Sequence, residues 1–152
     1  MFSIAILIGI YSYLIFLIGL LGFLNIKSVF PLSVIFLFLS VFYIIKVEKK
    51  NLKATVDVLK NKPFLFLLSI FILQVLVNFI GTLGPELGFD ALWYHLILPK
   101  LYLLSNAIVH IPGNLLYYSD MPKLTEMLYT VGLIFGNETI PKLISFFFGI
   151  LT

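Results

Sequence analysis

The chain has 152 residues, of which 61% are hydrophobic, 16% aromatic and only 11% charged. A soluble domain of this length could not bury so much apolar surface, so the composition excludes a soluble globular protein and indicates an integral membrane protein. The net charge of +3 does not indicate a nucleic-acid partner, because most lysines lie in one short segment and the chain has no arginine.

Three uncharged runs predict membrane-spanning helices. They cover residues 2–24, 28–45 and 63–85, and at about 1.5 Å per residue their lengths match a hydrocarbon core roughly 30 Å thick. The first run is expected to be retained rather than cleaved as a signal peptide, because no basic segment precedes it. The short link at residues 25–27 predicts that the first two helices form an antiparallel pair.

The segment between the second and third runs predicts the orientation of the chain. Residues 46–62 hold six lysines against Glu48 and Asp57, and by the positive-inside rule such a segment is cytoplasmic. The N-terminus is then cytoplasmic as well, and residues 81–140 form an external loop. The sequence therefore predicts a multi-pass protein of the cell membrane.

Two helices are predicted within the external loop. Asp90 can cap a helix from Ala91 to about Leu104, and Asp120 can cap another from Met121 to Phe135. Gly136 and Asn137 suit the end of the second helix. At the standard rise that helix is only about 22 Å long, and it carries charged residues, so we expect both loop helices to lie at the membrane interface.

A last helix is predicted to begin at Thr139 and Pro141. Its uncharged stretch, residues 143–152, is expected to be the start of a fourth span, since a helix cannot leave its last carbonyl groups in hydrocarbon. On this pattern the chain is expected to be the first part of a longer protein.

The predicted fold class is all-α integral membrane. It comprises three transmembrane helices, an external loop with two interfacial helices, and the start of a fourth transmembrane helix. Two regions are expected: residues 1–62, a transmembrane hairpin with a cytoplasmic basic loop, and residues 63–152, the beginning of a membrane core.

The candidate site lies in GPELGFDALWYHLILPK, where Glu86 and Asp90 follow directly after the third span. A carboxylate beside a span is costly unless water, a metal or a partner charge stabilises it, so it is a functional-site candidate. In an α-helix that begins at Asp90, Tyr94 lies one turn on and shares a face with the carboxylate, whereas His95 lies on a different face.

Two interpretations of Asp90 remain open from the residues alone. It is either a general base or metal ligand, with Tyr94 or His95 orienting a substrate, or only a helix cap beside an aromatic belt. For Asp120, in YYSDMPKL, the cap is favoured. Lys100 can approach an anionic phosphate, although lysines at helix ends ordinarily extend to the interface.

The order of features in residues 85–151 resembles the membrane-embedded glycosyltransferases of the C superfamily, particularly the protein O-mannosyltransferase and aminoarabinose-transferase group. GFDALWYHLILPKLYL looks like the interfacial helix that begins with the family's essential acid, which puts Asp90 in that position. YYSDMPKLTEMLYTVGLIFGNETIPKL is similar to a later part of the same loop and aligns Asp120 with a second acid. The resemblance covers less than half of the chain.

One departure from the family concerns a metal site. The family commonly has two acids in a row at the first position, whereas here Asp90 is followed by Ala91. A metal ion would therefore need Asp120 or Glu86 as a further ligand. Residues 1–62 precede the point where the family's core begins and look like an N-terminal addition.

The resemblance implies transfer of a sugar from a polyprenyl phosphate carrier in the bilayer to an acceptor hydroxyl presented from outside. Asp90 would act as general base or metal ligand, and Asp120 would be a second catalytic acid. The substrate-binding candidates are Tyr94, His95 and Lys100. A divalent metal ion is a candidate cofactor.

The resemblance also implies groups that this sequence does not visibly supply. Stabilising a departing phosphate requires cationic groups or a metal, and no basic cluster is evident in the predicted external loop. These groups are expected in a C-terminal remainder of the protein or in a partner subunit, and this 152-residue chain alone is expected to be inactive.

The alternative is a small non-catalytic multi-pass membrane protein that binds or scaffolds a partner through its aromatic external helices. This alternative predicts that Asp90→Asn is tolerated. A transporter is less favoured, because the predicted spans contain no ionisable relay. Their polar groups Gln74 and Asn78 are instead predicted to form interhelical hydrogen bonds.

Overall fold

The computed structural model describes residues 2–48, 62–112, 117–120 and 123–151. The structure is 83% helical, and none of the described residues lies in a strand. In chain order the elements are α1 (Phe2–Leu20), α2 (Ile26–Glu48), α3 (Lys62–Leu83), a π-helical turn (Ala91–His95), α4 (Ile97–Ser105), a 3₁₀ turn (Tyr117–Asp120), α5 (Leu124–Phe135) and α6 (Thr139–Leu151).

The helices α1, α2 and α3 are each long and apolar enough to cross a membrane. This confirms the predicted fold class in its coarser form, an all-helical chain with three possible spans. The lysine-rich segment lies mostly outside the described residues, so the orientation that it predicts stays a prediction.

Local chemistry explains where the first two helices end and begin. α1 stops at Leu20 rather than residue 24, because Gly22 adopts a φ of +78°, which breaks the helical backbone. α2 begins after Asn25, whose side-chain oxygen accepts the backbone N–H of Ser28 at 3.2 Å and so satisfies an otherwise free helical donor.

The predicted pairing of α1 with α2 is confirmed by side-chain contacts between them. The hydroxyl groups of Tyr11 and Ser33 lie 2.5 Å apart, and the rings of Tyr11 and Phe36 are centred 4.9 Å apart. In hydrocarbon such an interhelical hydrogen bond has no water to compete with it.

The buried core lies where this hairpin meets the helices of the loop. Its fully buried side chains are Ile15, Leu24, Val29, Leu98, Tyr102 and Met127. Backbone hydrogen bonds reinforce the packing, because Leu24 donates to Asn106 at 2.8 Å and Ile108 donates to Gly19 at 2.9 Å. The end of the α1–α2 hairpin therefore supports the segment that carries the candidate site.

The position of α5 partly corrects the sequence prediction. The helix ends at Phe135 before Gly136, as predicted, but it begins at Leu124. Asp120 lies in the separate 3₁₀ turn, so the prediction that it caps this helix is wrong. Met127 and Thr130 are fully buried, and α5 packs against α1, α4 and α6.

The helix α3 stands apart from the core and packs against α6. No described side chain of α3 is buried, and its contact with α6 includes Phe79 and Phe146, whose ring centres are 5.8 Å apart. The predicted start of α6 at Thr139 is confirmed. Its 13 residues span about 20 Å, and a fourth membrane span stays a prediction.

Candidate functional site

The predicted loop helix from Ala91 to Leu104 is divided into two pieces. The first is a π-helical turn in which the Leu96 N–H donates to the Ala91 carbonyl five residues back, at 3.0 Å. The second is α4. Wide turns of this kind are rare and occur frequently at functional sites.

The π-helical turn spaces its residues more widely than an α-helix does. With hydrogen bonds between residues five apart, both Tyr94 and His95 lie about one turn from Asp90 along the backbone. That Asp90 and Tyr94 share a face stays a prediction.

Asp90 does not cap the turn that follows it. Its backbone is already helical, with φ of −64° and ψ of −37°, and its side chain makes no capping hydrogen bond. The interpretation of Asp90 as an N-cap is therefore wrong. The residue is exposed and has no ion pair with any residue that the structure describes, which leaves its carboxylate available to a ligand.

His95 forms the closest polar contact of the site with Glu126 of α5. Its Nδ1 lies 2.7 Å from the Glu126 Oε1, and the carboxylate is buried, with 7% of the residue exposed. The imidazole packs against the ring of Tyr94, tilted by 45° with ring centres 4.1 Å apart, and meets Tyr129 edge-on at 6.2 Å. Two aromatic rings and a buried carboxylate thus hold His95 in one orientation.

Tyr102 of α4 lies in the core beside this pair. The side chain is fully buried, and its hydroxyl has no hydrogen-bond partner within the described ranges. Burial raises the pKa of Tyr102 to about 12, and the nearby negative charges of Glu126 and Asp120 contribute to the rise. Tyr102 is therefore a neutral phenol below the alkaline range.

Asp120 pairs with His110, and both residues are exposed. The Asp120 Oδ1 lies 2.9 Å from the His110 Nδ1. This hydrogen bond lowers the pKa of the Asp120 carboxyl from its usual value, and the positive charges of His110 and Lys123 lower it further. The pair ties the 3₁₀ turn to the segment after α4.

Two lysines meet in a hollow of about 580 Å³ at the end of α3. We call it the lysine hollow, and its polar lining residues are Glu86, Lys100, Asn137, Glu138, Thr139 and Lys142. Lys100 forms an ion pair with Glu138, and Lys142 donates a hydrogen bond to the backbone carbonyl of Gly84.

A groove of about 710 Å³ between α3 and α6 adjoins the lysine hollow. Glu86 and Lys142 line both spaces. Farther along this α3–α6 groove, apolar walls alternate with the polar side chains of Gln74, Asn78 and Ser145. Such a space can hold an elongated amphiphile, with its charged end near the lysines.

A metal site receives no structural support. In the part of the chain that the structure describes, no three His, Asp or Glu side chains lie close enough to bind one ion. Glu86 accepts two backbone N–H groups of its own turn, those of Leu87 at 3.0 Å and Gly88 at 2.7 Å. The metal site suggested for Asp90, Asp120 and Glu86 stays a prediction.

Sequence reasoning missed two of the residues that define the site. Glu126 was considered only as a charge on the second loop helix, and Lys142 was not considered. Glu126 is 31 residues from His95, so local spacing in the sequence does not indicate that the two side chains meet. Lys142 lies in the first turn of an apolar helix, where a lysine is ordinary.

Comparisons of the chain with known protein families, with curated proteins and with solved structures found no match.

Proposed function

We propose that the chain forms part of a membrane glycosyltransferase that uses a sugar linked to polyprenyl phosphate and transfers it to an acceptor hydroxyl on the external face. The observation that supports this most is the lysine hollow, where Lys100 and Lys142 border a space that adjoins the α3–α6 groove. A lipid-linked phosphate needs this combination of cationic and apolar surfaces.

The donor would lie with its isoprenoid chain in the α3–α6 groove and its phosphate in the lysine hollow. Lys142 donates to the uncharged carbonyl of Gly84, and a phosphate oxygen is a stronger acceptor because its negative charge also attracts the ammonium group. Lys100 already pairs with the carboxylate of Glu138, so a phosphate would compete with that carboxylate.

The reaction requires one proton acceptor and one stabilised leaving group. The acceptor oxygen forms a bond to the anomeric carbon, the bond from that carbon to the phosphate oxygen breaks, and its electron pair leaves with the phosphate. The acceptor's proton passes to a base. Asp90, exposed directly after α3, is proposed as that base or as a metal ligand, Asp120 as a second acid, and Tyr94 and His95 as substrate-binding residues.

The proposal includes a placement in the cell membrane. The N-terminus would be cytoplasmic, residues 81–140 would form the external loop, α4 and α5 would lie at the interface, and α6 would begin a fourth span. This orientation puts the lysine hollow at the external membrane surface, where the phosphate of a lipid-linked sugar lies. Additional phosphate-binding groups from another part of the protein or from a partner subunit would complete the site.

Photolabelling tests donor binding directly. A polyprenyl phosphate with a diazirine in its isoprenoid chain is added to membranes that contain the natural protein. We expect labelled peptides from α3 and α6, competition by unlabelled polyprenyl phosphate, and reduced labelling in Lys142→Gln. The matched control is Lys27→Gln, an exposed lysine at the start of α2 that does not line either space. Labelling that both variants retain equally would contradict the proposed donor site.

One observation favours the alternative of a non-catalytic scaffold. Gln74 donates to Asn78 at 3.0 Å on α3, and both side chains are exposed. Amide groups that face hydrocarbon have unused hydrogen-bonding capacity, which a polar residue of a partner helix can satisfy. This candidate predicts that Gln74→Leu with Asn78→Leu disrupts function while Asp90→Asn does not. Glycosyl transfer predicts loss of function with Asp90→Asn.

A further inference from the structure

The contact between His95 and Glu126 has the geometry of a histidine held for proton transfer. The two atoms in contact are the His95 Nδ1 and the Glu126 Oε1, 2.7 Å apart. A carboxylate can only accept a hydrogen bond, so the hydrogen of a neutral imidazole lies on Nδ1 and the lone pair lies on Nε2.

A histidine positioned by a carboxylate for proton transfer needs a buried carboxylate and an accessible imidazole, and the two side chains differ in burial in this way. The Glu126 side chain is 9% exposed, whereas that of His95 is 33% exposed. A buried carboxylate fixes the tautomer and the ring orientation, and the partly exposed imidazole can reach a ligand. The tilted contact of the Tyr94 ring with the imidazole further limits its rotation.

His95 also lies near the other parts of the candidate site. The π-helical turn puts its backbone one turn from that of Asp90. On the opposite side its ring meets Tyr129, whose hydroxyl is hydrogen-bonded to Ser145, and Ser145 lines the α3–α6 groove. The imidazole is thus one aromatic ring away from a residue of the proposed donor groove.

We propose that His95 is the proton acceptor of the transfer reaction and that Glu126 is its positioning residue, an inference that rests on the proposed function. His95 Nε2 takes the proton of the acceptor hydroxyl while the acceptor oxygen bonds to the anomeric carbon, and the phosphate leaves with the electron pair of the bond that breaks. The proton then passes to solvent. Asp90 then takes the second of its two proposed roles, that of a metal ligand.

Among the described residues, the titratable and charged groups around His95 come from its own turn, α4 and α5. Tyr94 belongs to the same turn, Asp90 directly precedes that turn, and Glu126 and Tyr129 belong to α5. From α4, Tyr102 faces the core beside Glu126, whereas Lys100 is paired with Glu138. The carboxylate of Glu126 is therefore the charge in direct contact with the imidazole.

Transfer by the natural protein in its own membranes tests the role of His95. The probe is a set of polyprenyl phosphates that carry tritiated mannose, glucose or aminoarabinose. We expect His95→Ala to lower the rate about 10²- to 10⁴-fold, the usual contribution of a general base, and added imidazole to restore part of it. The matched control, Lys27→Gln, changes an exposed residue at the start of α2 that lines neither the lysine hollow nor the α3–α6 groove, and it should retain the rate. An unchanged rate in His95→Ala would overturn the inference and leave the proposed function standing.

Nitrogen NMR of histidine tests the role of Glu126 without any assay of activity. In protein labelled with ¹⁵N-histidine we expect the His95 signal of the tautomer protonated at Nδ1, assigned by its loss in His95→Gln. Glu126→Leu should remove this preference. A tautomer mixture in the wild type, or one unaffected by Glu126→Leu, would overturn the positioning role. If the wild type transfers none of the three sugars, the proposed function and this inference both fail.

Discussion

Gly132 of α5 lies so close to Pro141 of α6 that a Cβ built on the glycine would be 3.0 Å from the proline Cδ. The same Cβ would be 3.1 Å from the Cγ2 of Ile140. Both Gly132 and Pro141 are buried. This close approach fixes the start of α6 against α5 and so positions Lys142, the next residue, at the lysine hollow.

Gly132→Ala should therefore destabilise the protein. Overpacking typically costs about 1–3 kcal/mol and better helix propensity regains up to about 1 kcal/mol, so we expect a net loss of roughly 1 kcal/mol. Thermal unfolding in detergent measures it. Gly9→Ala is the matched control, because a Cβ at Gly9 of α1 has no atom within 4 Å. Equal stability of both variants would contradict the close α5–α6 contact.

Tyr11→Phe should weaken the α1–α2 hairpin. It removes the hydrogen bond to Ser33, and such interhelical bonds contribute about 0.6 kcal/mol on average in membranes. Tyr13→Phe should have no effect, because Tyr13 is 58% exposed and forms no hydrogen bond to a described residue. Unfolding by a denaturing detergent compares the two variants, and a larger loss in Tyr13→Phe would show that the pairing of α1 and α2 is wrong.

Tyr102→Phe should stabilise the protein. The variant keeps the buried ring and removes a hydroxyl that has no partner among the described residues, and an unsatisfied buried polar group costs about 1–3 kcal/mol. We expect a gain near 1 kcal/mol in thermal unfolding. Tyr129→Phe should act in the opposite direction, since it loses a hydrogen bond to Ser145. A loss of stability in Tyr102→Phe would indicate that the hydroxyl has a partner.

The pKa of Tyr102 also predicts an alkaline limit of stability. Burial, followed by the charges of Glu126 and Asp120, raises the pKa from 10.0 to about 12. The folded state binds the phenol proton more tightly than the unfolded state does, so the raised pKa contributes to the free energy of unfolding. This contribution is complete below pH 10 and is lost as the pH rises through about 12. The tyrosinate absorbance of wild type minus Tyr102→Phe measures the titration. A midpoint at 10.0 would show that the phenol reaches water.

At acidic pH the pairing of Asp120 with His110 should be lost. The hydrogen bond from His110 is the largest cause that lowers the pKa of Asp120 below its usual 3.8. A carboxyl group whose pKa is lowered by folding stabilises the folded state at pH values above its pKa in the unfolded chain. This stabilisation is lost as the pH falls through its pKa in the folded protein. Carbon NMR of the carboxyl group follows this titration. His110→Gln should return the pKa of Asp120 toward 3.8, whereas His95→Gln should leave it unchanged.

The sequence predicted the long helices well because their signal is local. An uncharged run long enough to cross a membrane forms a helix, because a helix satisfies its own backbone hydrogen bonds in lipid. The sequence could therefore locate α1, α2 and α3 within a few residues. The end of α5 was equally local, since Gly136 follows Phe135. The end of α1 differs from the predicted residue 24 because Gly22 adopts a positive φ, which a run of uncharged residues does not reveal.

The site was less predictable because its residues meet across the fold. Local pattern does not distinguish a π-helical turn at residues 91–95 from an α-helix, so the division of the predicted helix into this turn and α4 was not predicted. Contacts such as Lys100 with Glu138, 38 residues apart, depend on how α4, α5 and α6 pack. Sequence spacing identified Asp90 and His95 as candidates but could not supply Glu126.

The most direct test of the central claim is sugar transfer by the natural protein and its Asp90→Asn variant, with the three tritiated polyprenyl phosphate sugars as donors. We expect transfer by the wild type and a loss of at least about 10²-fold in the variant, because Asp90 is proposed either as the base or as a metal ligand of the site. Asp57→Asn, in the segment predicted to be cytoplasmic, is the control and should retain the wild-type rate. Full transfer by Asp90→Asn, or none by the wild type at equal expression, would contradict the account.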